Sequence, residues 1–146
     1  MVAHRGGLNV HRHAPGEPAR CLLFKEGSGR MEAPSLAIDV AADAIRVIDP
    51  NTNALVASAS PSDVTATAET YHAVGWGWGG QTCPILVVGV PGWRPLSIGC
   101  VEGSGSISWR GKVDKARETS DYKVGAMDWL TLVEQFGLAP YLEDTR

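Results

Sequence analysis

The residues best able to do chemistry are few and far apart. His72 stands beside Tyr71 and near Glu69, and its imidazole would titrate close to neutrality, but no nucleophile or carboxylate orienter accompanies it at a recognisable spacing. Cys21, Cys83 and Cys100 are odd in number and widely spaced, which fits neither a disulfide framework nor a CxxC metal knuckle. Inert thiols are the expectation, with Cys100 alternating with Leu96 and Ile98 as a small buried hydrophobe. His11-Arg12-His13, with His4 nearby, presents imidazoles without a thiolate or carboxylate to complete a metal shell. No catalytic residue is assigned, and neither a metal nor a cofactor is expected.

Aromatic side chains in turns offer recognition instead. Gly75-Trp76-Gly77-Trp78-Gly79-Gly80 combines a permissive backbone with two large rigid surfaces that carry N–H donors. Such a loop either stacks on a peptide or flat ligand through Trp76 and Trp78, or folds its indoles back onto the body of the protein. It lacks the lysine and hydroxyl residue of a phosphate loop. Trp93 and Arg94, between Pro91 and Pro95, form a hairpin tip where a partly exposed aromatic either anchors a partner or a second copy of the chain or packs on a neighbouring loop. At such a tip Trp93→Ala lies within about 1 kcal/mol of wild type.

Charge narrows the partners. The formal net charge is −3, made of +3 over residues 1–30 and −6 over the remainder. An acidic body argues against nucleic acid, whose affinity comes mostly from neutralised phosphates. The mixed signs of Arg110, Lys112, Asp114, Lys115, Arg117 and Glu118 read as a solvated loop spanning residues 110–123. The longest apolar run, Ile85 to Val90, is too short to span a bilayer, and the first twenty residues hold no apolar signal core, so a cytoplasmic location is expected.

The elements that must position these residues are almost all strands. Residues 1–20, rich in Gly, Arg, His and Pro without a period, read as a poorly ordered extension, and residues 21–146 as one domain. Cys21 to Phe24 is a short apolar run, either strand or helix. Leu36 to Val40, Ala44 to Asp49 and Leu55 to Ser60 alternate in period two around the turns Ala41-Ala42-Asp43 and Asp49 to Asn53, making a meander. In the second of these, Ile45 and Val47 take one face and Arg46 and Ile48 the other. Val64 to Ala68, Ile85 to Val90, Leu96 to Val101 and Ser106 to Trp109 continue the series. One amphipathic helix closes the chain near 128–136. Trp129, Leu130, Leu132, Val133 and Phe136 gather on one stripe, Asp128 is its N-cap and Gly137 its left-handed stop. The fold class is therefore mainly β, an antiparallel sheet curled into a barrel or half-barrel with a C-terminal helix as its cap.

Some seven strand candidates followed by one helix carrying a core tryptophan, Trp129, resemble the pleckstrin-homology-like superfold. The resemblance spans residues 21–142 and rests on element order. It implies a barrel of two nearly orthogonal sheets whose C-terminal helix packs its tryptophan into the core. Phosphoinositide binders of that family carry a basic cluster between their first two strands. If Leu36 to Val40 is the first strand, the matching loop is Ala41-Ala42-Asp43, so lipid-headgroup binding is not implied. The expected role is a small interaction or scaffolding module for a protein or peptide, including self-association through an edge strand or aromatic loop. The alternative is a barrel holding a small hydrophobic or planar ligand, with weak enzymatic activity and with His72, Trp76 and Trp78 lining its mouth.

Overall fold

A computed structural model describes residues 3–4, 9–12, 19–25, 33–73, 81–100, 107–110, 116–117 and 120–144. In chain order the strands are β1 (Ala3–His4), β2 (Asn9–Arg12), β3 (Ala19–Lys25), β4 (Leu36–Val40), β5 (Ile45–Asp49), β6 (Ala54–Ala59), β7 (Thr65–Ala73), β8 (Gln81–Gly89), β9 (Leu96–Cys100), β10 (Ile107–Trp109), β11 (Ala116–Arg117), β12 (Tyr122–Val124) and β13 (Leu142–Asp144). One α-helix, α1 (Ala126–Gln135), stands near the C-terminal end.

Two meanders make the molecule. In the first, β3 to β6 pair in sequence order, and in the second β7, β8 and β9 do the same. The short strand β12 joins them, parallel to β9 and antiparallel to β3, so the main sheet runs β1-β2-β7-β8-β9-β12-β3-β4-β5-β6 with β11 beside β7. The result is a curled half-barrel, mostly strands, with its helix at the C-terminal end. Strands β10 and β13 form a separate pair.

Alternation decides which side is core. Cys21 faces Ile38 and Leu23 faces Leu36 across β3–β4, while Val40 faces Ile45 and Ile38 faces Val47 across β4–β5, and all of these are buried. Ala66, Ala68, Leu86, Val88, Leu96 and Ile98 line the same interior from the second meander, and Tyr122 and Val124 fill it from β12. Pro84 lies inside β8 opposite Thr70, at a point where the β8–β9 ladder, which runs from Ile85 to Val88, has already ended. Its missing N–H therefore costs no bond toward β9.

The helix covers this interior with Trp129, Leu132, Val133 and Phe136, each at most 1% exposed. Trp129 Nε1 donates to the Ile98 carbonyl at 2.9 Å, and its ring lies 5.6 Å from that of Trp109, tilted by 48°. Trp109 Nε1 in turn donates to the Glu69 carbonyl at 2.7 Å. Both indoles thus bury their area without orphaning their donors. At the C-terminal end Gly137 has φ +77°, and the N–H groups of Gly137 and Leu138 bond to the carbonyls of Glu134 and Val133 at 3.0 and 2.9 Å. That is a Schellman stop, with Leu138 and Val133 buried as its apolar pair.

Two readings of the sequence are corrected and one ambiguity is settled. The helix begins at Ala126 with Gly125 as N-cap, and Asp128 sits inside the first turn as a dipole partner, not as the cap. Ala126 and Met127 extend the helix by good propensity alone, since Met127 is 77% exposed and adds nothing to the apolar stripe. The supposed solvated loop 110–123 contains β11 and the start of β12. Tyr122-Lys123-Val124 is too short for its alternation to stand out, and the two strands that flank it hold it in place. Cys21 to Phe24 is strand, its ambiguity settled by pairing with β4. Within the segment read as an irregular extension, Ala3–His4 and Asn9–Arg12 are strands, and β2 pairs with β7 through His11–Ala66 and Arg12–Thr65.

Candidate interaction surface

The outward face of the first meander carries two cross-strand rows. Because β3, β4, β5 and β6 pair residue against residue, Arg20, Asp39, Arg46 and Ser58 stand side by side, and one step along, Leu22, Ala37, Ile48 and Leu55 do the same. The first row is charged and self-compensating. The Arg20 guanidinium grips Asp39 through two bonds of 2.5 and 2.7 Å, and Arg46 lies 4.0 Å from Asp43. Its hydrogen bond to Asp39, and that carboxylate's charge, raise the Arg20 pKa further above its already high ordinary value. A shallow open depression of about 270 Å³ lies here, lined by Ala19, Arg20, Asp39, Val40, Ala41 and Arg46. With two arginines set against two aspartates it carries no net field for a polyanion.

The second row is apolar. Leu22 and Leu55, 38% and 60% exposed, are two of the three large hydrophobic side chains that stand out to solvent among the described residues, and both belong to this row. Between them Ala37 and Ile48 are buried at 0% and 6%, although they face away from the core. Half-buried Phe24 extends the patch on β3, next to Lys123 of β12. Ile48 shares the Arg46 face as its alternation predicts and stands outside the core cluster of the barrel interior.

The row ends at β6, the last strand of the sheet. Its sequence, Ala54-Leu55-Val56-Ala57-Ser58-Ala59, holds no charge, and among the described residues no strand pairs with its outer side. A register shift between Val47 and Ile48 leaves Val56 as an extra residue, a β-bulge. Val56, Ala57 and Ala59 pack partly against the core, while Leu55 and Ser58 point outward.

The residues singled out from sequence fall elsewhere. Trp93 is half-buried and packs against the core cluster, the second of the two readings that its sequence left open, and Gly92 beside it takes φ +79° in the turn. Its Nε1 is buried and meets no acceptor among the described residues. The cost of Trp93→Ala rises accordingly, to about 1–2 kcal/mol. Arg94 is exposed and donates to the Tyr122 hydroxyl at 3.0 Å, which ties the β8–β9 turn to β12. His72 stands on β7 opposite Thr82. Trp76 and Trp78 lie outside the described residues. The structure therefore brings Trp93 and Arg94 to one hairpin and places neither in the rows of the first meander. Sequence reasoning missed those rows, because only the register of four strands sets Leu22 in line with Leu55; the uncharged run of β6 was the one signal available beforehand.

Cys21 is buried beneath α1, with Sγ 3.8 Å from the Asp128 carbonyl. Burial foremost, then the charges of Asp128 and Asp39, push its pKa from 9.0 up to about 11. A protonated, covered thiol is a poor nucleophile, as expected for an inert cysteine. The sign of its pH effect follows. Below pH 9 the thiol keeps its proton in both states and its contribution is complete. As pH rises from about 9 to about 11, only the unfolded thiol ionises, and that contribution is lost. Melting temperatures of wild type and Cys21→Ala should converge across that window; a difference that stays constant would contradict the assignment.

Among the described residues no group of three or more His, Cys, Asp or Glu side chains is placed to hold a metal ion, and no helix is long and apolar enough to cross a membrane. No family model, curated protein or solved structure matches the chain.

Proposed function

We propose that this chain is a protein-interaction module of pleckstrin-homology-like build, working in the cytoplasm, which takes an extended polypeptide along β6 and the adjoining apolar row. The observation that carries the reading is the coincidence of three features on one edge: a terminal strand with no partner on its outer side among the described residues, the absence of charge on it, and an apolar row of Leu22, Ala37, Ile48 and Leu55 that runs up to it. Added strands draw affinity from main-chain hydrogen bonds and specificity from alternate side chains, and both are on offer here. The neighbouring row of Arg20, Asp39 and Arg46, with Asp43 of the adjoining turn, balances its own charges, which favours a polypeptide over a phosphate-bearing partner. A four-strand meander, a three-strand meander and then a helix bearing a buried tryptophan support the fold resemblance, while free, buried Cys21 suits a reducing compartment.

Selection from a random dodecapeptide display library tests the reading. Wild type should enrich extended, proline-poor peptides whose binding falls by about tenfold or more in Leu22→Asp/Leu55→Asp. Both substituted side chains are exposed, so the melting temperature of the variant should stay close to that of wild type. Peptides that bind the variant equally well, or no enrichment by a chain that is also monomeric at every concentration, would overturn the assignment of this edge.

A further inference from the structure

We propose that the polypeptide received by β6 is β6 of a second copy, paired antiparallel across a two-fold axis that passes between Val56 and Ala57. This rests on the reading of β6 as the binding edge and names its occupant.

The argument is the strand's match to its own reverse. An antiparallel pair must set outward residues against outward residues and core-side residues against core-side residues. A regular six-residue strand paired with its own reverse over its full length fails this, because each residue then meets one from the opposite face. Here the bulge changes the pattern. Val56 and Ala57 are adjacent in sequence yet both pack toward the core, with Leu55 and Ser58 outward on either side of them. Reversing the strand about the midpoint of Val56 and Ala57 sets Leu55 against Ser58 of the partner subunit, Val56 against Ala57 of the partner subunit, and Ala54 against Ala59 of the partner subunit. Shifting the pairing by one residue either way sets an outward side chain against a core-side one. Registers centred on Leu55 or Ser58 keep the faces but engage only part of the strand. The full-length register is thus the one in which the whole edge fits itself.

Charge agrees. A two-fold axis brings each strand against an identical one, so a single charged residue near its centre would meet a like charge across the pair, and β6 carries none. The strand also lacks the lysine or proline that usually guards an exposed edge. A bulge commonly serves as such a guard; at this edge it is what makes the strand self-complementary. Six residues are less than a standard interface, so the dimer should be reversible, with a dissociation constant on the order of tens of micromolar.

Sedimentation velocity of the full chain from roughly 1 μM to roughly 1 mM should show a monomer giving way to a dimer. Leu55→Glu/Ser58→Glu sets carboxylate against carboxylate twice and should weaken the dimer by about tenfold or more, whereas Leu55→Glu/Ser58→Lys sets opposite charges together and should restore it. Both positions are exposed, and thermal melts of each variant check that the fold is kept. A wild type that is monomeric throughout, or a dimer that is indifferent to Leu55→Glu/Ser58→Glu, overturns self-pairing. If such a monomer still enriches peptides dependent on Leu55, only the identity of the occupant falls. If it enriches none, the edge reading falls with it.

Discussion

Truncating Trp129 to alanine should cost the protein about 3–5 kcal/mol, a large share of the stability of a domain this size. The side chain is 1% exposed, fills the space between α1 and the sheet, packs against Trp109 and donates its N–H to the Ile98 carbonyl. Alanine would leave a cavity where the indole stood and take one donor from the Ile98 carbonyl, so the transfer, cavity and hydrogen-bond losses add in the same direction. Trp129→Phe separates them. It keeps much of the area, gives up the bond to Ile98, and should lie clearly between wild type and Trp129→Ala. Denaturant melts of the three proteins check the order. A small loss in Trp129→Ala would mean that the half-barrel stands without its helix.

The second large effect is expected at a surface position. Lys123 is half-buried at the centre of β12, the short strand that joins the two meanders by pairing with β9 on one side and β3 on the other. Lys123→Pro removes a ladder donor and forces its ring into a strand bonded on both sides, with an expected cost of about 3 kcal/mol or more. Lys123→Ala keeps the backbone donor and should cost about 1 kcal/mol or less. Chemical denaturation again provides the readout. The contrast matters because composition marks residues 110–123 as solvated loop, whereas the structure makes the last of them part of the seam of the fold. Near-equal losses in the two variants would mean that the meanders hold together without β12.

Legibility in the sequence followed the range of the interactions. Period-two runs such as Leu36 to Val40, and the helix stripe from Trp129 to Phe136, record burial within a single element, and both were readable to within a residue or two. The Gly137 stop was readable because a left-handed position is a local demand. Tyr122-Lys123-Val124 was not, since three residues carry too little alternation and the strand exists through its neighbours. Trp93 was left between two readings for a related reason: a turn sequence says that the chain reverses, not which way its tip leans. The candidate surface was the least legible part. Arg20 and Asp39 lie nineteen residues apart, and Leu22 meets the line of Leu55 only through three successive ladders. The bulge that gives β6 its matching faces comes from a register shift against β5, which a sequence read one strand at a time does not contain.

Amide hydrogen exchange at low and high protein concentration tests the central claim, that β6 pairs with β6 of a second copy. The amides between Ala54 and Ala59 that point away from β5 should gain protection as concentration rises, with Thr65 to Ala73 of β7 unchanged, and that gain should vanish in Leu55→Glu/Ser58→Glu. Protection of β6 that is the same at every concentration and in both proteins would contradict it.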